Sequence, residues 1–173
     1  MSRILSFFGK SDGTSSVEFV FLFPAFVIIL LSSVESGTMM VRNVLLERGV
    51  DLAVRELRLG VNPPKDEDEL LKRVCTYAGF IRDCDQNMRL ELVRVSTSTF
   101  NMPTTSATCR QKDELTQPAL TYTTGADHDL MLLRACAIFN PYFPTTGMGL
   151  RLPKLPTGHY ALTAAAAFVV EPT

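Results

Sequence analysis

Apolar and polar positions divide the chain into a continuous apolar run near the N-terminus and a set of shorter periodic segments after it. Residues 19–34 are sixteen consecutive uncharged positions, lying between Glu18 and Glu35. As a helix they reach about 24 Å, short of the roughly 30 Å of hydrocarbon that a spanning helix must cross. Starting at Thr14 and ending at Val34 lengthens the helix to about 31 Å, so the run spans comfortably only if Glu18 enters the bilayer with it. Beyond Gly37 the pattern becomes amphipathic. Leu46, Val50, Ala53 and Leu57 recur at helical spacing with Val54 alongside, while Arg42, Glu47, Asp51, Arg55 and Glu56 take other directions. Together these segments predict one long helix over 14–59. Pro24 should bend it, because it removes the bond to the Val20 carbonyl. The stripe serves to dock the helix on its own globular domain or, alternatively, on a partner helix. Val61-Asn62-Pro63-Pro64 ends it, since proline disfavours helix in the residue before it.

The remaining segments predict a small mixed domain. Asp66 is a possible cap with Glu69 three places on, and the acidic Asp66 to Glu69 suits the positive end of a helix dipole. Leu70, Val74, Tyr77 and Ile81 form a core stripe for that helix, which runs to about Ile81. Met88 to Ser96 alternates, with Met88, Leu90 and Leu92 on one face and Arg89, Glu91 and Val93 on the other, as a half-exposed strand does. Residues 97–127 are rich in Ser and Thr and read as a long loop, with a possible short helix near Asp113 to Leu115. His128 to Phe139 is apolar on both alternating faces except at Arg134, which predicts a central strand covered on both sides. Asn140 to Gly158, with four prolines and three glycines, reads as irregular. His159 to Val170 mixes an alanine run that favours helix with Tyr160, Thr163, Phe168, Val169 and Val170 that favour strand; strand is the expectation.

Charge sets orientation. Arg3 and Lys10 precede the apolar run, so the positive-inside rule keeps the N-terminus cytoplasmic and sends residues after Val34 across the membrane. A net charge of -1 without a Lys/Arg cluster excludes nucleic acid as an expected partner. An ordinary signal peptide cut between Ser33 and Gly37 is the competing reading. It leaves Glu18 unexplained, and no clean small-x-small site closes the run.

Glu18 carries the functional signal. A carboxylate at membrane depth costs about 2.5 to 3.5 kcal/mol at a helix centre and is usually held by a partner. No Lys or Arg lies within the span. A free α-amine made by cleavage just upstream would serve. Gly13-Thr14-Ser15-Ser16-Val17-Glu18-Phe19 resembles the prepilin-peptidase site of type IV pilin-like proteins, with cleavage after Gly13 and glutamate fifth in the mature chain. The continuation through Pro24, Val34-Glu35-Ser36-Gly37 and Ala53-Val54-Arg55 resembles the TadE-like segment of tight-adherence pilus systems, over roughly residues 13–57. Pilin-like members commonly carry Tyr where this chain has Phe19.

The resemblance implies a minor pilin or pseudopilin that assists assembly of a tight-adherence pilus. Its plan is pilin-like and α+β: a long N-terminal helix, transmembrane and then amphipathic, followed by an antiparallel sheet of three strands packed on helices. Expected segments are a cytoplasmic leader at 1–13, a transmembrane helix at 14–37, an amphipathic continuation at 38–60 and a periplasmic domain at 61–173. Implied partners are a prepilin peptidase acting at Gly13 and Thr14, other pilins or pseudopilins and tight-adherence inner-membrane assembly proteins meeting Glu18 and Phe19, and the lipid bilayer. Implied localisation is the inner membrane as a single-pass protein.

Cys75, Cys84, Cys109 and Cys136 all follow the span, in what should be an oxidising periplasm, where an even count permits two disulfides in three connectivities. The favoured pairs are Cys75 with Cys84, closing a helix-to-strand turn, and Cys109 with Cys136, tying the long loop to the central strand. No C-x-x-C pair supports zinc ligation, so no metal or other cofactor is expected. Hydrolase, P-loop, zincin and dinucleotide signatures are absent, and Asp127-His128-Asp129 reads as a polar start to a strand. An enzyme is therefore not expected. The alternative function is a membrane-tethered periplasmic binding module with no leader cleavage, whose Ser/Thr-rich loop contacts the partner.

Overall fold

A computed structural model describes residues 14–60, 63–79, 81–103, 107, 109–110 and 122–172, with side chains from residue 16 onward. The leader with Gly13, the side chain of Thr14 and the helix expected near 113–115 lie outside the described residues. In chain order the elements are α1 (Thr14–Leu59), α2 (Glu67–Ala78), α3 (Cys84–Asn87), β1 (Met88–Val95), β2 (Leu130–Phe139), α4 (Gly147–Arg151) and β3 (Tyr160–Val169). The fold is α+β: one long N-terminal helix, then a small domain in which a three-stranded antiparallel sheet packs on helices.

Helix α1 runs unbroken through Pro24 for 46 residues. Its far half supplies one wall of the core, with Leu46, Val50 and Ala53 buried and Val54 and Leu57 packed against the same cluster. The amphipathic stripe thus docks α1 on its own domain. Gly49 is what lets α2 lie so close: a Cβ there would sit 2.9 Å from the Val74 carbonyl oxygen and 3.1 Å from Ala78 Cβ. Across this contact Arg73 reaches Glu56 (3.1 Å) while also pairing with Glu69 (2.6 Å) one turn back on its own helix, and the Tyr77 hydroxyl donates to Glu56.

Asp66 caps α2 as its position suggests, Oδ1 accepting from the Glu69 N–H at 2.8 Å, and Glu69 Oε2 accepts in turn from the Lys65 N–H at 3.0 Å. The far end differs from expectation. The Gly79 N–H donates to the Cys75 carbonyl (3.0 Å) and ends the helix there, so Ile81 falls beyond it. The buried stripe is Leu70, Leu71, Val74 and Ala78, while Tyr77 turns its ring to the helix border, where its hydroxyl finds Glu56.

Sheet order is β1-β2-β3, with Met88 opposite Ala137 in the first pair and Phe139 opposite Tyr160 in the second. Side chains alternate across a sheet, so Met88, Leu90 and Leu92, then Leu133, Ala135 and Ala137, then Tyr160, Ala164 and Phe168 share the face that meets α1 and α2. The other face of β2 is buried as well: Leu132, Cys136 and Ile138 are covered, and Arg134 pairs with Glu91 directly opposite on β1. The alanine run of β3 is a strand because β2 supplies its hydrogen-bond ladder, an effect that outweighs alanine's helix preference. Cys75 is bonded to Cys84 and Cys109 to Cys136, with Cα separations of 5.7 and 5.1 Å.

Candidate functional site

The residues singled out by sequence lie at the free end of α1. Val17, Phe19, Val20, Phe21, Leu22, Phe23, Phe26, Ile28, Ile29 and Leu30 are all exposed large apolar side chains that no part of the domain covers among the described residues. Phe19 and Phe23, one turn apart, stack with centroids 5.0 Å apart. Glu18 is exposed on this same stretch. Ser32 and Ser33 satisfy their hydroxyls by donating to the carbonyls of Ile28 (2.7 Å) and Ile29 (2.9 Å), the usual way a serine is carried in an apolar helix. Among the described residues α1 is the one helix long and apolar enough to cross a membrane. These features are consistent with a single-pass membrane anchor.

Where the apolar run ends, the domain grips the helix, and this grip was not visible from the sequence. Glu35, which there only marks the edge of the run, is 1% exposed. Its Oε2 accepts from the backbone N–H groups of Tyr142 (2.9 Å) and Phe143 (3.0 Å), binding the segment after β2 to the helix. Two turns further along, Arg42 Nη1 donates to the Asn140 carbonyl (3.1 Å) and the Tyr160 hydroxyl (2.5 Å). Its guanidinium lies 5.0, 4.7 and 5.9 Å from the ring centres of Phe139, Tyr142 and Tyr160, a cage that suits a planar cation. Burial pushes the Tyr160 phenol above its ordinary range, opposed by the Arg42 hydrogen bond.

A seven-residue interval returns a helix to nearly the same face, which is why Glu35 and Arg42 both meet residues 139–143. A signal for them existed: Glu35, Met39, Arg42 and Leu46 continue the spacing of the apolar stripe toward the membrane. It is hidden because the positions nearest the lipid end of the stripe are charged.

The short α4 closes the grip. The Ser32 hydroxyl accepts from the Met148 N–H at 3.2 Å. Gly147, at φ +52°, comes so close that an added Cβ would clash with Ser32 Oγ and lie 3.4 Å from the Ile28 carbonyl. The expected irregular connection over 140–158 therefore contains one helical turn, held by contact with α1. Gly147 and Gly149 read as helix breakers, and the tertiary partner that compensates for them is more than a hundred residues away in sequence.

The class these observations define is an α+β protein with one long apolar N-terminal helix, consistent with a single-pass membrane anchor, whose domain is bound to that helix where the apolar run ends. Residues 13–55, about a quarter of the chain, match the family model described as TadE-like protein. The match points in general terms to a role associated with tight-adherence pili. No curated protein and no solved structure matches the chain.

Proposed function

We propose that the chain is a minor pilin or pseudopilin that assists assembly of a tight-adherence pilus. It is made as an inner-membrane precursor with its N-terminus cytoplasmic and its domain periplasmic, and a prepilin peptidase trims it after Gly13. The observation that carries this reading is the TadE-like match over 13–55 falling on a helix whose first turns leave Glu18 and a continuous apolar surface uncovered. An anchor alone needs no carboxylate at that depth. In the mature protein the Glu18 carboxylate pairs with the α-amine of Thr14, in its own or a neighbouring subunit, and sets register as helices pack in low dielectric. Support also comes from Val41 and Val44, exposed apolar residues of α1 past the membrane-length run, which point away from the domain-facing line of Glu35, Arg42 and Leu46.

N-terminal sequencing of the membrane-associated protein tests the reading. A start at Thr14 is expected; a start at Met1 means a plain anchor, and one near Gly37 a signal peptide. Glu18→Ala should leave membrane insertion intact and hinder pilus assembly, so normal pili in that variant would rule out the role given to the carboxylate.

A further inference from the structure

The grip on α1 places α4 at a telling height. Gly147 and Met148 meet α1 at Ile28 and Ser32. By helical rise those levels lie about 9 and 3 Å inside Val34, the last residue of the apolar run. A helix lying in a membrane interface buries its apolar side roughly 5–10 Å into the headgroup and acyl boundary, so α4 lies at the depth of that boundary. Its surface fits the location. Leu150 is 64% exposed among the described residues. Tyr142, 54% exposed, has its backbone N–H on Glu35 and its ring 4.7 Å from the Arg42 guanidinium, on the solvent side of Glu35, which suits a tyrosine at the headgroup level rather than among acyl chains. Residues 140–158 contain Arg151 and Lys154 and no carboxylate, a charge that complements lipid phosphate. Among the described residues, polar links between this segment and α1 are made within the protein: Ser32 takes the Met148 N–H, Glu35 takes those of Tyr142 and Phe143, and Arg42 donates to the Asn140 carbonyl. Backbone that enters a membrane interface must be satisfied in this way.

We propose that α4 and its flanks form an interfacial foot, with Leu150 inserted in the lipid leaflet where α1 leaves the hydrocarbon, Tyr142 at the headgroup level and Arg151 offered to lipid phosphates. The foot fixes the height and tilt of the domain over the bilayer, which one helix passing through lipid does not do by itself. Gly147 is the hinge-free seat of the foot, because any side chain there would push α4 off α1. The inference rests on α1 spanning the membrane.

The chain has no tryptophan, so single indoles report depth without background. The full chain would be placed in phosphatidylcholine–phosphatidylglycerol vesicles, without bromine, with acyl chains brominated near the headgroup, or with acyl chains brominated near their ends, the last for position 26. Three variants are compared: Leu150→Trp, Phe26→Trp within the span, and Val44→Trp, about 15 Å past Val34 along the helix. Leu150→Trp is expected to show blue-shifted emission, loss of intensity in bromolipid, and less acrylamide quenching than Val44→Trp. Tyr142→Trp, at the headgroup level, should also lose intensity in bromolipid, though less than Leu150→Trp, and guards against a local folding fault at position 150. Water-like emission from both, with quenching by acrylamide as at position 44, overturns the foot. So does protection from both quenchers, which means burial against a neighbouring protein copy. If Phe26→Trp also escapes bromolipid, the spanning reading has failed; if it alone is quenched, the span stands and the foot does not.

Discussion

Replacing Glu35 by alanine should release the domain from its anchor locally without unfolding it. The carboxylate is buried and takes two backbone N–H groups through one oxygen, at 2.9 and 3.0 Å. Leaving a buried donor without a partner costs about 1–3 kcal/mol. Tyr142 is half in solvent, so water replaces part of the loss, and the low end of the combined range applies, about 2–3 kcal/mol for the pair. Every 1.4 kcal/mol is tenfold in an equilibrium, so amide exchange over 140–152 should quicken by roughly 30- to 100-fold. Glu35→Gln keeps a carbonyl oxygen in the same place and loses only the stronger acceptor, so its effect should be about fivefold or less. Hydrogen exchange read by mass spectrometry on the protein in lipid nanodiscs separates these outcomes. Peptides of β1 and β2 serve as internal references, and Glu18→Gln, which touches no part of the grip, as a control. Unchanged exchange over 140–152 in Glu35→Ala would refute the claim that this acid holds the segment to α1.

Gly49→Val should destabilise the domain by about 1–3 kcal/mol, because the contact with the Val74 carbonyl and Ala78 leaves no room and overpacking cannot relax against backbone; a denaturant midpoint equal to wild type would count against it. Removing the Cys75–Cys84 bond should cost about 2.5 kcal/mol and the Cys109–Cys136 bond about 3.5 kcal/mol on loop entropy, the second closing 27 residues and the first 9. Paired serine variants measured under denaturant check the order. Raised tyrosine pKa values set the alkaline limit. Burial raises Tyr160 and Tyr122, and the hydrogen bond to Glu56 raises Tyr77. Below about pH 10 folded and unfolded chains both keep these protons, and this contribution is complete. As pH rises through that value the unfolded chain ionises first, so stability falls. Tyr160→Phe should make the fall shallower, with the remaining slope due to the other two tyrosines, as alkaline unfolding curves would show.

Local chemistry wrote a large part of this protein into its sequence. The apolar run, the stripe of Leu46, Val50 and Ala53, the Asp66 cap, the half-exposed pattern of β1 and the doubly apolar β2 each follow from a periodicity that one element imposes alone. What escaped depends on partners distant in the chain. Ile81 lies beyond α2 because the Gly79 turn ends the helix, and it packs partly buried against the core, while Ala78, small enough to pass Gly49, is the buried residue of the last helical turn. The turn at α4 has two glycines in five residues and exists because Ser32 and Ile28 seat it. Glu35 and Arg42 read as surface charges on a helix until residues 139–143 close over them. A sequence records what each segment prefers by itself, whereas burying a charge is decided by whether a second segment arrives carrying its hydrogen-bond partners, and that is settled only when the chain is folded.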